Sequence, residues 1–136
     1  MSGVIVSIGV DIIEIRRVRE VLARTPRFRE RVFTERECAY CDSRGEASAA
    51  QHYAARFAAK EAAFKALRTG WRGPLSWHHA EVTSTEDGAP LLTLTGHARE
   101  LFDALGATHA HLSISHTSEH AVAQVIFERR DSPSGG

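Results

Sequence analysis

The stretch R-F-A-A-K-E-A-A-F-K-A, Arg56 to Ala66, lies within one long helix and holds the only two lysines of the chain, Lys60 and Lys65. The other fifteen of its seventeen cationic side chains are arginine. Arginine is a rigid planar fork, whereas lysine is a flexible point charge suited to a single phosphate oxygen. Two lysines flanking Glu61 on one helix therefore suggest phosphate chemistry. The alternative is an ordinary surface pair, because Glu61 and Lys65 stand at i,i+4 and can attract each other by ~0.2–0.5 kcal/mol. At 100° per residue, Tyr53, Phe57, Glu61, Phe64 and Lys65 fall on adjoining parts of one face. Glu61 is thus expected to be partly buried, and a half-buried carboxylate needs a cation or hydrogen bonds.

Outward from this helix the pattern is α+β. Val4, Val6, Ile8 and Val10 alternate with Ile5, Ser7, Gly9 and Asp11 as a strand does. A helical pattern follows through Ile12, Ile15, Val18, Val21 and Leu22, and Thr25-Pro26 is expected to stop it. Thr34 and Glu37 form a capping box for a short helix. Ser48 with Gln51 can cap the long helix, which should end before Gly70. His79 to Thr85 and Leu91 to Thr95 read as a hairpin, His97 to Leu105 as a helix closed by Gly106. His109 to Ser115 and Ala121 to Phe127 read as two further strands. The expectation is one domain over residues 1–130, a mainly antiparallel sheet packed with one long helix, and a disordered polar tail over 131–136.

Composition narrows the classes. A 136-residue chain, 43% hydrophobic and 25% charged, suits a single globular domain. No apolar run approaches the ~18–20 residues that span a bilayer, and the N-terminus lacks the features of a secretory signal, so a cytoplasmic location is expected. Cys38-x-x-Cys41 is at best half a zinc site, and the eight histidines show no metal-ligand spacing. The net charge of zero hides an uneven distribution: Arg16 to Arg36 holds eight arginines against Glu20, Glu30 and Glu35. That excess can attract an acidic partner, protein or nucleic acid. The scarcity of aromatics there argues against a platform for single-stranded nucleic acid.

Two further elements carry candidate chemistry. Asp11, between Val10 and Ile12, is poor strand material, and its same-face neighbours Ser7 and Gly9 are small enough to leave room for a ligand or another backbone. Asp11 with Glu14 can equally be a helix cap and its capping-box acid. A magnesium ion shared by Asp11 and Glu61 would satisfy both carboxylates. In H-L-S-I-S-H, His111 to His116, Leu112 and Ile114 face one way and His111, Ser113 and Ser115 the other, with His116 at the strand end where it can reach a phosphate.

Together, G-V-D-I-I-E-I-R-R-V, R-F-A-A-K-E-A-A-F-K-A and L-S-I-S-H-T resemble, in order and spacing, the holo-acyl-carrier-protein synthases, the small single-domain branch of the 4′-phosphopantetheinyl transferases. The resemblance spans about Val4 to Phe127. It implies transfer of 4′-phosphopantetheine from coenzyme A to a serine of an apo acyl carrier protein, in support of fatty acid biosynthesis, by a magnesium-dependent homotrimer with active sites at subunit interfaces. It implies metal binding by Asp11 and Glu61, catalytic roles for Glu61, Lys65 and His116, and coenzyme A binding by Lys65, Thr69, Gly70, Ser115 and His116. Arg17 matches the arginine that holds the carrier protein. Glu61 or a water on the metal is the candidate base for the serine proton. Two positions depart from the family pattern. Arg68 stands where relatives have the first glycine of Gly-Thr-Gly, and it can add a phosphate contact. Thr117 stands where an acid often follows Ser-His. Other readings are a transferase dedicated to polyketide or peptide-synthetase carriers, and a non-catalytic basic module binding acidic protein or RNA through Arg16 to Arg36.

Overall fold

A computed structural model describes residues 2–68 and 74–131. The chain runs β1 (Gly3–Glu14), α1 (Ile15–Arg24), α2 (Pro26–Val32), α3 (Glu35–Ser43) and α4 (Glu46–Ala66). A short 3₁₀ turn (Trp77–His79) then leads to β2 (Ala80–Ser84), β3 (Pro90–Leu94), α5 (Gly96–Ala104), β4 (His109–His116) and β5 (His120–Arg130). The fold is α+β and antiparallel, as expected, but its strands form two sheets: β1-β5-β4, and a separate β2-β3 hairpin. Among the described residues no helix is long and apolar enough to cross a membrane.

Two local expectations change and one is extended. Ile12 and Ile13 remain in the ladder opposite Val122 and Ala121, and the Ile15 N–H donates to Glu119 O at 2.8 Å. The strand therefore continues to Glu14, and Asp11 is a strand residue, not a helix cap. Thr25-Pro26 ends α1 as expected, and Pro26 also begins a helix of its own. It opens α2 at the first position, where its missing N–H costs nothing. α4 starts at Glu46 after Gly45, whose φ of 92° suits glycine, so Ser48 and Gln51 lie inside the helix and do not cap it. The Thr34–Glu37 capping box is present, with both reciprocal bonds.

α4 lies against the inner face of the three-stranded sheet, and small residues set how closely. A Cβ on Gly9 would stand 1.9 Å from the carbonyl oxygen of Ala62, so only glycine fits there. The Ser7 hydroxyl donates to Ala66 O at 2.7 Å, tying the same strand to the same helix. Ala58, Ala59, Ala62, Ala63 and Ala66 are fully buried against Val125, Phe127 and Ala123 of β5. This close approach brings the side chains of β1 and α4 into reach of one another. A second cluster around Phe33, Tyr53, Val18 and Ile15 seats α1–α3 on the first half of α4.

Lys60 holds the other side of α4. Its ammonium is fully buried, 2.8 Å from Glu37 Oε1, and donates to Ala80 O at 2.6 Å and Trp77 O at 3.1 Å. Glu37 in turn accepts from the N–H groups of Thr34 and Val82. Burial pulls the Lys60 ammonium below its ordinary pKa, against the opposing attraction of Glu37. One ion pair thus fastens α4, α3 and β2 together. Lys60 is therefore a structural group, and the phosphate reading applies to Lys65 alone.

Candidate functional site

Asp11 projects from β1 toward α4 because inward and outward residues alternate along the strand, and Gly9 and Ser7 on the same side let the helix come close. Its carboxylate Oδ1 is 2.9 Å from Lys65 Nζ, which also donates to Val10 O at 3.0 Å. Lys65 therefore bonds across to the strand and leaves Glu61, its neighbour one turn earlier, unpaired. Glu61 is half-buried and has no hydrogen bond or ion pair among the described residues. Burial raises its pKa, the nearby Asp11 charge raises it further, and Lys65 opposes both. Asp11 of β1 and Glu61 of α4 thus lie near enough to feel each other's charge, and Glu61 makes no hydrogen bond or ion pair among the described residues.

His116 falls elsewhere in the chain. It ends β4 opposite Ala121 and meets the first half of α4, its Nε2 2.8 Å from Gln51 Nε2. Gln51 precedes Glu61 by ten residues, about 15 Å of helix. Ser115, its neighbour in the strand, alternates to the outer face of the sheet and is exposed. Within one chain, His116 and Ser115 are therefore not gathered around the carboxylate pair.

Two arginines and a histidine that the motifs did not single out gather around the Tyr40 ring, on the same stretch of chain as Gln51. The buried Arg56 guanidinium lies 4.1 Å from the Tyr40 ring centroid and that of Arg44 5.6 Å, with His52 edge-on to the same ring at 5.6 Å. Arg56 Nε is buried with no hydrogen-bond partner, and neither Arg56 nor Arg44 has a carboxylate partner among the described residues. Burial lowers the His52 pKa, and the charges of Arg56, Arg44 and His116 lower it further. Arg56 stands inside the quoted motif. Its burial, in a chain whose arginines are mostly exposed, was the signal that periodicity could not supply.

Arg17 is exposed on α1 beside an apolar cleft of about 180 Å³ lined by Ile13, Val18, Val21, Phe28 and Phe57. Arg68, just beyond α4, has φ of 60°, the left-handed conformation that glycine adopts at lowest cost. Its guanidinium donates to Val6 O at 3.2 Å, at the irregularity in β1 between Ile5 and Ser7. Thr69 and Gly70 lie outside the described residues, as does the tail beyond Asp131. Cys38 and Cys41 are buried free thiols, and burial pushes Cys41 up to about 12, far from a reactive thiolate.

Comparison with known proteins bears on the same residues. The sequence family described as the 4′-phosphopantetheinyl transferase superfamily matches residues 7–125. The chain is 45% identical over 125 residues to a holo-[acyl-carrier-protein] synthase of Koribacter versatilis, covering 91% of this chain and 98% of that one. It is 47% identical over 122 residues to the synthase of Geotalea daltonii, covering 89% and 96%. Among solved structures, the holo-(acyl-carrier-protein) synthase of Bacillus anthracis in complex with CoA (3′,5′-ADP) is similar. It has a TM-score of 0.77 and 37% identity over 93% of this chain and 98% of that one.

Proposed function

The chain belongs to the 4′-phosphopantetheinyl transferase superfamily, and from that premise we propose that it transfers 4′-phosphopantetheine from coenzyme A to a serine of an apo acyl carrier protein. The observation that carries this reading is the unpartnered, half-buried Glu61 facing Asp11, with the compact ammonium of Lys65 alongside. In the transfer, the serine oxygen bonds to the β-phosphorus of the pyrophosphate, the bond to the departing 3′,5′-ADP breaks, and the serine proton must be taken up. Glu61, which makes no hydrogen bond or ion pair among the described residues, is a candidate acceptor. Lys65 carries a charge on a four-carbon stem that can meet a pyrophosphate oxygen.

Asp11 and Glu61 are hard oxygen donors, one of them without a hydrogen bond, and this set fits magnesium, which they would hold. When bound, the ion supplies charge neutralisation on the phosphate oxygens. Arg56 and Arg44, gathered at Tyr40 beside the first half of α4, offer a second, anion-binding position suited to the further phosphate of the nucleotide. Arg17 and its neighbours on α1, next to the apolar cleft, would recruit an acidic carrier protein.

A homotrimer is part of the same reading. The outer face of the β1-β5-β4 sheet exposes Ile8, Val10 and Ile12 at 53%, 53% and 65%, a contiguous apolar surface of the kind that packs against another copy. Such packing would also allow His116 of one copy to approach the carboxylate pair of the next. Free thiols at Cys38 and Cys41 suit a reducing, cytoplasmic setting. The direct test is magnesium-dependent release of 3′,5′-ADP from coenzyme A when apo carrier protein is supplied. No release with folded protein and a panel of apo carriers would refute it.

A further inference from the structure

Lys65 makes a choice that the helix alone would not dictate. Glu61 lies one turn before it, in the orientation that favours an i,i+4 pair. The Lys65 ammonium instead crosses to β1 and spends two of its three donors there, one on Asp11 Oδ1 and one on Val10 O. Asp11 is mostly covered, with 18% of its side chain exposed, while Lys65 keeps 54% of its side chain in solvent. The carboxylate is thus fixed in the site, and the ammonium can swing away on its stem. Asp11 Oδ2 and both oxygens of Glu61 have no partner among the described residues.

We propose that Lys65 is the resident counter-ion of the Asp11–Glu61 pair in the metal-free protein, and that it yields Asp11 when a divalent cation binds. This rests on the reading of Asp11 and Glu61 as metal ligands. A divalent ion and an ammonium bonded to the same carboxylate repel each other. Binding therefore frees the Lys65 ammonium at the moment a substrate phosphate needs it, so metal and phosphate ligands bind with positive coupling. A lysine suits this exchange because it is a compact charge on a flexible stem. An arginine in its place would grip Asp11 through a rigid fork and release it less readily.

The chain is unusually easy to interrogate on this point, since lysine-selective ¹³C,¹⁵N labelling yields signals from Lys60 and Lys65 alone. Lys65→Met assigns them by deleting one. On titration of full-length protein with magnesium and no coenzyme A, the Lys65 side-chain signal should move and narrow toward that of a free exposed lysine. The Lys60 signal should stay, and Asp11→Asn should abolish the response. Manganese binding followed by electron paramagnetic resonance should be roughly tenfold tighter in Lys65→Met than in the parent, within the usual range of coupling between ligands. If manganese binds the parent and Asp11→Asn prevents it, yet the Lys65 signal does not move or Lys65→Met binds no tighter, the counter-ion role is wrong and the metal site stands. If neither parent nor Lys65→Met binds manganese, both readings fall.

Discussion

Lys60 and Lys65 are chemically identical and five residues apart, yet their surroundings give them opposite tasks. Lys60 is sealed against Glu37 and two carbonyls, whereas Lys65 is exposed at the carboxylate pair. Removing one partner of a buried, fully bonded ion pair leaves an uncompensated charge, which costs about 3–5 kcal/mol. Lys60→Met should lower urea-unfolding stability by about that amount, and Lys60→Arg should also destabilise, because the larger fork has no space. A Lys60→Met midpoint equal to the parent's would contradict the structural role. Helical periodicity already sets Lys60 about 100° around α4 from Glu61, off the face that Lys65 shares, but its burial depends on Glu37 of α3 and on the carbonyls of Trp77 and Ala80. His52 gives a second prediction at this scale. Burial, then Arg56, Arg44 and His116, depress its pKa, so the folded state resists protonating it. Stability is therefore full above the ordinary histidine value of ~6.5 and is lost as pH falls from there through the depressed folded value. Thermal melts across that window should show a decline that His52→Gln flattens. An unchanged slope would remove His52 as its source.

The contact between β1 and α4 decides whether the site exists. Gly9 sets it, because a methyl group there would collide with the Ala62 carbonyl. Gly9→Ala should force the helix off the strand and destabilise the protein by about 1–3 kcal/mol or more, as overpacking does. It should also weaken metal binding by parting Asp11 from Glu61. A variant as stable as the parent, binding manganese equally well, would show that the contact is not limiting. Much of α4 was legible in advance: Tyr53 and Phe64 are buried and Glu61 half-buried, as their shared face implied. Asp11 was ambiguous because strand alternation up to Val10 overlaps a plausible cap signal at Asp11 and Glu14. Only pairing with β5 extends the strand past it. The meeting of Gln51 with His116 depends on the β4–β5 register, a long-range property that no local pattern carries.

At the scale of the molecule, the outer sheet face bears on assembly. Ile8 and Ile12 stand opposite Ile126 and Val122, so the apolar surface spans two strands. Ile8→Lys with Ile12→Lys should convert the proposed trimer to a folded monomer, with mass read by light scattering and fold by circular dichroism. A mass equal to the parent's would move the interface elsewhere. The most direct test of the central claim is the intact mass of an apo acyl carrier protein after incubation with this protein, coenzyme A and magnesium. The account predicts that the carrier gains the mass of one 4′-phosphopantetheine on its serine, and that Asp11→Asn or Glu61→Gln, still folded, adds nothing. A carrier left unmodified by the parent, or modified equally by both variants, would contradict it.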